Sequence, residues 1–380
     1  MRTSLFIGTA FFTLAFAASG GAQGALSLQG LGYPAGGLSA RAEGVGGGIA
    51  DFDTLSATSP AALAGVGRAS LFLQYSPEFR RVTTTSGSAN TTTARFPLIE
   101  GVLPLGQSWT LGIGATTYLD RSSETSLERL QAVGDPTDTV TLTEQHKVLG
   151  AIDDVRLALA WSRSPKFRIG FGGHVFTGSN RITFTQLFPD SAEFISSAQT
   201  NRVSYAGFAG SVGIEVHPSS VIGFAISGRK GGDLTAQSGD TTIGRGRIPD
   251  HYSASVMFEG IPGASISARV AHDNWSSLSS LSSTGIQAFD GWDAGGGIEA
   301  RGPTFMQRIV TLRAGARYRT LPFGLNGEKV TEKTFAAGFG APLTRDRASF
   351  DVAIQRASRS TGSDVKERGF ILSIGLRVSP

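Results

Sequence analysis

The chain has no cysteine among its 380 residues, only five histidines, and a low charge content of 17%. Without cysteine there can be no disulfide scaffold, thiol nucleophile, zinc ribbon or iron–sulfur cluster. His146, His174, His217, His251 and His272 are far apart in sequence, which argues against a metal centre. No HExxH, Walker A or GxGxxG pattern occurs, so neither a cofactor nor an enzymatic role is expected. His174 with Ser179 and Asn180 could suggest a lipid hydrolase. Serine is abundant throughout, however, and chance spacing is the better account. The 34 lysines and arginines against 30 acids leave a net charge of +4 with no dense basic run, which argues against nucleic acid as a partner. At 40% hydrophobic residues the chain is not disordered. Its 51 glycines follow no three-residue period, so it is not collagen-like.

What is present begins with an export signal. Residues 1–24 carry Arg2, an apolar run from Leu5 to Ala18, and small residues suited to cleavage after Ala22 or Gly24. Beyond residue 25 no stretch approaches the ~20 apolar residues of a membrane helix. The mature chain is therefore soluble or spans a membrane as strands, since only helices and closed barrels satisfy every backbone group in lipid.

The dominant period is two. Phe370, Leu372, Ile374, Leu376 and Val378 alternate with Ile371, Ser373, Gly375 and Arg377. Val155, Leu157, Leu159 and Trp161 alternate with Arg156, Ala158 and Ala160. Phe167, Ile169, Phe171 and Val175 oppose Arg168, Gly170, Gly172 and His174, and Leu312 to Tyr318 show the same pattern against Arg313, Arg317 and Arg319. Successive strand side chains point to opposite faces, so each segment has one apolar and one polar or small face. Near 205–216 the parity of the apolar residues switches, which predicts a β-bulge near Ala206-Gly207. Fourteen segments result: 68–82, 93–104, 108–120, 142–162, 166–186, 200–217, 220–230, 250–260, 263–275, 288–301, 305–320, 330–342, 346–358 and 367–378. Most reach the ~9–11 residues of a tilted membrane strand.

Their connections alternate strictly. Short turns such as Leu105-Gly106-Gln107, Ser164-Pro165 and Pro218-Ser219 take turns with long polar loops at 121–141, 187–199, 231–249, 276–287, 321–329 and 359–366. That asymmetry marks outer-membrane barrels. Period alone cannot say which face meets lipid, because a secreted all-β protein would alternate equally. The signal segment, strand length and loop asymmetry choose the membrane. The expected fold is all-β: a membrane-spanning antiparallel barrel of about 14 strands, 67–380, preceded by an N-terminal plug, 25–66. Trp109, Trp161, Trp275 and Trp292 fall near strand ends, as an interfacial aromatic girdle requires. The Gly/Ala-rich plug segment allows helical turns at 38–43 and 60–65, the second with Ser59 as N-cap and Pro60 in the first turn.

The run from Ala50 to Gly65, "ADFDTLSATSPAALAG", and that from Arg313 to Leu343 resemble the FadL/TodX-like long-chain fatty-acid outer-membrane transporter family. In that family the N-terminal segment is a hatch carrying Asn-Pro-Ala. Here Ser59-Pro60-Ala61 stands in its place, and the chain ends in Val378-Ser379-Pro380 where many barrels end in an aromatic residue. The resemblance implies a bacterial outer-membrane channel for passive uptake of small hydrophobic molecules, such as fatty acids or aromatic hydrocarbons. It also implies outer-membrane lipid and lipopolysaccharide as surroundings, and the barrel-assembly machinery as a partner. The alternative is a structural or adhesion-type barrel without transport.

Asp51 and Asp53 admit two readings, a hatch anchored to lumen arginines or a solvated turn. Arg156, Arg168, Arg313, Arg317 and Arg377 lie opposite apolar faces and would line the lumen. Most would pair with acids, and one or two could hold a carboxylate headgroup through the guanidinium fork. The candidate substrate and hatch residues are thus Asp51, Asp53, Ser59, Pro60, Ala61, Arg313 and Arg317.

Overall fold

The computed structural model describes residues 32–84, 87–133, 135–188, 195–281, 288–305, 307–325, 327–344, 347–361 and 366–379. The signal segment and residues 25–31 lie outside them. Sixteen strands follow in order. The first eight are β1 Ser70–Thr84, β2 Gly87–Leu105, β3 Trp109–Asp120, β4 Ser123–Val133, β5 Asp135–Ser164, β6 Phe167–Leu187, β7 Ser197–Val216 and β8 Ile222–Ser238. The second eight are β9 Thr241–Arg247, β10 His251–Ile261, β11 Ala264–Asp273, β12 Gly291–Phe305, β13 Arg308–Leu325, β14 Glu328–Thr344, β15 Ala348–Ser360 and β16 Lys366–Val378.

Fourteen of them close a ring in which each pairs antiparallel with its neighbours. β1 meets β16, Leu71 opposite Val378, and β10 meets β8, Tyr252 opposite Gly228. Closure leaves no free sheet edge within the ring. The other two strands stand outside the ring path: β4 pairs with β5 alone and β9 with β8 alone. They occupy the spans expected to be loops at 121–141 and 231–249. Those segments are polar but still alternate, and they extend the hairpins beyond the ring.

The two faces are inside-out relative to a soluble barrel. Ile113, Leu157 and Phe171, on β3, β5 and β6, are more than half exposed on the outer wall. Their inward neighbours Thr110, Arg156 and His174 are buried. Across the lumen face, Glu78, Arg80, Arg95, Glu100, Glu215, Glu332 and Arg359 are buried and Leu71, Leu103, Leu312, Phe335 and Ile354 are exposed. An outer band of this kind is a large contiguous apolar surface, which only a lipid or another apolar phase covers. The ambiguity of the period is thereby resolved: the apolar face points out.

The lumen charges neutralise one another. Arg168 Nη1 lies 2.6 Å from Glu215, Arg95 Nε 2.6 Å from Asp120, and Arg156 is paired with Glu100. Breaking one partner of such a buried pair costs roughly 3–5 kcal/mol, because the remaining charge keeps its desolvation penalty.

Two expectations are corrected here. β7 keeps a single facing from end to end: its register with β6 is unbroken, and Val203 and Tyr205 face inward while Phe208 and Val212 face outward. The apolar parity changes because the lumen itself becomes apolar at that level. A register irregularity does lie beside Gly207, but its extra residue is on β8, where Gly207 pairs with Leu234 and Ala209 with Gly231. That residue turns Leu234 and Ala236 inward. Trp275 is likewise absent from the outer girdle: it is buried inside, opening a 3-10 turn over Trp275–Leu281. Trp109 and Trp292 do sit on the outer surface.

Candidate functional site

Residues 32–66 pack inside the ring. The helix α1, Ala40–Gly44, begins where Ser39 Oγ accepts a hydrogen bond from Ala42 N–H at 3.1 Å. A 3-10 turn spans Pro60–Gly65. Both fall where the sequence allowed helical turns. Ser59 is the N-cap residue of the second turn and Pro60 opens it, as expected, but the Ser59 hydroxyl makes no capping bond and is buried without a partner.

The segment docks on glycines of the wall. At Gly315 an added Cβ would lie 2.2 Å from the Val45 carbonyl carbon, and at Gly295 only 1.9 Å from Gly46 O. Gly46 and Gly47 themselves have φ of +63° and +83°, a turn that side chains with a Cβ rarely make. On the opposite wall, a Cβ at Gly170 of β6 would overlap Pro60 and Ala61, and one at Gly213 of β7 would lie 2.4 Å from Ser59 Oγ. Ser59, Pro60 and Ala61 therefore seat on β6 and β7, backbone against backbone.

Two aspartates hold this segment differently. Asp51 reaches the wall. Its carboxylate accepts from Ser255 Oγ at 2.6 Å, Ser253 Oγ at 2.9 Å, Ser227 Oγ at 3.1 Å and Arg269 Nε at 3.1 Å. Burial opposes its charge, but Arg269 and the serine hydroxyls outweigh burial and hold the carboxyl below its usual range. Asp53 instead ties the segment to itself. It accepts from Ser39 Oγ at 2.5 Å and Ser56 Oγ at 2.6 Å, with Arg41 3.8 Å away. Arg41 in turn forks onto Glu299 of β12 at 2.9 and 3.0 Å. Glu43 is raised to about 7 because burial favours its neutral form.

Arg313 and Arg317 are committed to wall acids. Arg313 meets Glu299 at 2.6 Å and Asp351 at 2.7 Å, and Arg317 forks onto Asp293. Arg317 also borders the interior cavity, whereas Arg313 lies beneath α1.

At the long-loop end Tyr33 forms a bridge with Asp120, its N–H 2.8 Å from the Asp120 carbonyl. Four guanidinium groups surround its ring, those of Arg80, Arg95, Arg319 and Arg359, at 4.6 to 5.3 Å from the centroid. Its hydroxyl donates to Glu332 at 3.0 Å and accepts from Arg359 at 2.8 Å.

Above the packed segment the lumen is apolar. Tyr118, Leu119, Ile152, Phe176, Val203, Tyr205, Leu234, Ile248, Trp275 and Leu278 form one buried cluster. Trp275 stacks on Tyr118 at 5.3 Å, and Phe176 meets Tyr118 edge-on at 4.8 Å. Beside this cluster is a cavity of about 130 Å³. Its floor is Gly36, Gly37, Leu38 and Ala57 of the packed segment, and its walls include Tyr118, Trp275 and Leu321. Arg229, His174 and Asp154 lie on its polar side, together with Arg269, Asp273, Asp293, Arg317 and Arg319. Arg229 stacks over Tyr118 at 4.9 Å and Phe176 at 5.4 Å, while its buried Nε–H has no partner. Tyr118, Phe176, Trp275 and Arg229 were not among the sequence candidates. For Tyr118 and Phe176 the signal was an apolar residue on an otherwise polar strand face, the same signal that suggested a bulge; Arg229 and Trp275 carried none.

No protein-family model matches the sequence, and no curated protein matches it. Solved structures do match. A Pseudomonas aeruginosa FadL homologue is 14% identical, with 92% of this chain and 99% of that one covered and a TM-score of 0.65.

The chain has the FadL/TodX-like fold.

The CymD monoaromatic hydrocarbon channel (14% identical, 94% and 99% covered, TM-score 0.55) shares the FadL/TodX-like architecture. So does the Pseudomonas putida toluene transporter TodX (15%, 91% and 98%, 0.56). Of these neighbours, CymD is named as a channel and TodX as a transporter. The fold includes the closed fourteen-strand ring that the strand segments implied.

Proposed function

We propose that the protein is a bacterial outer-membrane channel for the passive uptake of small hydrophobic molecules, with residues 1–24 as its removed export signal, 25–66 as a hatch and 67–380 as the barrel. The observation that carries this reading is the aromatic-edged cavity floored by the hatch. A barrel serving only as structure has no use for an apolar interior space closed from below. A cavity of ~150 Å³ lined by apolar side chains accommodates benzene, and the 130 Å³ here is of that order. A monoaromatic hydrocarbon fits the resting space, whereas a long acyl chain needs the hatch to yield. Arg229, which borders the cavity and is paired only at 3.6 Å with Asp154, suits an acceptor on the solute better than Arg313 or Arg317, whose forks are already engaged.

In this reading Asp51 pins the hatch to β8, β10 and β11, Asp53 keeps it compact, and Ser59, Pro60 and Ala61 form its seat on β6 and β7. Outer-membrane lipid and lipopolysaccharide surround the apolar band, and the barrel-assembly machinery inserts it. No energy-coupling segment is present among the described residues, so flux follows the gradient. Toluene and palmitate uptake into proteoliposomes tests the proposal. Tyr118→Ala combined with Trp275→Ala is expected to cut toluene flux at least tenfold while the barrel stays folded. Unchanged flux in that variant, or none in the parent, refutes it.

A further inference from the structure

The cavity edge holds a constellation that transport does not use. His174 Nδ1 lies 2.8 and 3.0 Å from the two carboxylate oxygens of Asp154, and His174 Nε2 lies 2.8 Å from Ser211 Oγ. The three side chains come from β5, β6 and β7, neighbouring strands whose lumen faces bring them into line. An ionised carboxylate can only accept, so Asp154 places the ring proton on Nδ1 and leaves Nε2 free to accept the Ser211 hydroxyl proton. This is the arrangement of nucleophile, base and orienting acid that activates serine, which is recognised by geometry and not by sequence order.

Three further observations separate it from an ordinary polar contact. First, Asp154, His174 and Ser211 all line the same cavity, next to the aromatic surface of Tyr118 and Trp275. Second, Gly172 leaves the room the serine needs: a Cβ there would lie 2.5 Å from Ser211 Oγ and 3.4 Å from His174 Nε2. Third, Arg229 stands directly opposite Ser211 in the β7–β8 register. Its guanidinium also borders the cavity, with Nη1 3.6 Å from Asp154. A guanidinium on the strand next to the nucleophile is a positive charge toward which a developing oxyanion is drawn.

We propose that Ser211 is the nucleophile of an esterase site acting on small carboxylic esters with an aromatic or short apolar group. Ser211 Oγ attacks the ester carbonyl carbon as His174 Nε2 takes its proton. The tetrahedral oxyanion faces Arg229. Collapse breaks the carbon–oxygen ester bond, and the alcohol leaves with the proton from His174. Water, deprotonated by His174, then attacks the acyl-serine, releasing the carboxylic acid and restoring the serine hydroxyl. Ser211 and His174 are catalytic residues in this scheme and Asp154 is a positioning residue. Ser179 and Asn180, the partners that sequence spacing offered to His174, have no part in it: Asn180 donates to Tyr205 instead. The activity is separate from transport and shares with it the cavity and Arg229.

The test uses the full-length protein folded in detergent micelles, a fluorophosphonate probe mapped by mass spectrometry, and hydrolysis of p-nitrophenyl butyrate. The expected result is a covalent adduct on Ser211 and turnover that Ser211→Ala and His174→Ala abolish. Asp154→Asn presents the wrong tautomer, which lowers serine-protease turnover by about 10⁴. A loss of at least a hundredfold is expected here, with the folded band on an unheated gel retained. A purely structural network would leave the parent protein unlabelled. No adduct on Ser211 in the folded parent, or turnover that survives Ser211→Ala, overturns the proposal. Toluene uptake is measured separately on the parent protein: uptake without an adduct on Ser211 overturns the esterase alone, and an adduct without uptake overturns transport alone.

Discussion

Asp51→Ala offers the sharpest view of how the hatch is held. The carboxylate is fully buried and gathers Ser227, Ser253, Ser255 and Arg269 from three strands. Hydrogen bonds to a charged group contribute about 1.5–3 kcal/mol each in isolation, but four on one group are not additive. The governing quantity is the loss of one partner from a buried ion pair, about 3–5 kcal/mol. Arg269 would retain Asp293, 3.7 Å from its Nη1, and the contact of its Nη2 with His251 Nε2 at 3.1 Å. Since 1.4 kcal/mol is a factor of ten, hatch opening should become roughly 10²- to 4 × 10³-fold more frequent. Hydrogen exchange of amides 45–58 reads this opening directly, while exchange in β13–β16 reports the barrel. The expectation is a hundredfold or greater loss of protection confined to the hatch. Protection within fivefold of the parent would refute the idea that Asp51 anchors it. Pairing Asp51→Leu with Arg269→Met removes both charges and is expected to restore most of the protection.

Other outcomes follow from the same contacts. Glu43 is raised from 4.5 to about 7, so the folded state holds its proton over a range in which the unfolded chain has lost it. Its stabilising effect is complete below about pH 4.5 and is lost as pH rises through about 7. At ~1.4 kcal/mol per unit the shift corresponds to at most ~3 kcal/mol, and Glu43→Gln should flatten the pH dependence of hatch protection. Gly315→Val forces a side chain into the space held by Val45 and Gly46, and should expel α1 from β13 without opening the ring. Single-channel recordings would then show a larger conductance. Tyr33→Ala leaves four arginines facing an empty space and is expected to raise proteolytic cleavage in the Tyr33–Leu38 region.

The barrel was legible because its rules are periodic. Alternation at Phe167–Val175 and Leu312–Tyr318, together with turns of two or three residues on one side, was enough to fix ring size and facing parity. The interior was less so. Alternation reports which residues share a face, and it is silent about whether that face is polar along its whole length. Val203 and Tyr205 therefore looked like a change of register when they mark a change in the lumen's character. Asp51 stands out in the sequence as one of two acids, but only folding shows that it reaches Arg269, 218 residues away. The same limit hid Ser211, 37 residues from His174 and indistinguishable in sequence from many other serines. Trp275 was read as interfacial because strand ends and lumen pockets both favour a large aromatic residue with one polar atom.

The central claim is that the apolar strand faces look outward onto lipid and the polar faces enclose the hatch. The chain has no native cysteine, so single cysteines carrying a nitroxide report one position each. In lipid bilayers, labels at Ile113, Leu157 and Phe171 should be open to dissolved oxygen and closed to a polar nickel complex, while labels at Thr110 and Thr116 should be shielded from oxygen. The opposite pattern, or no difference between the two sets, would contradict the account.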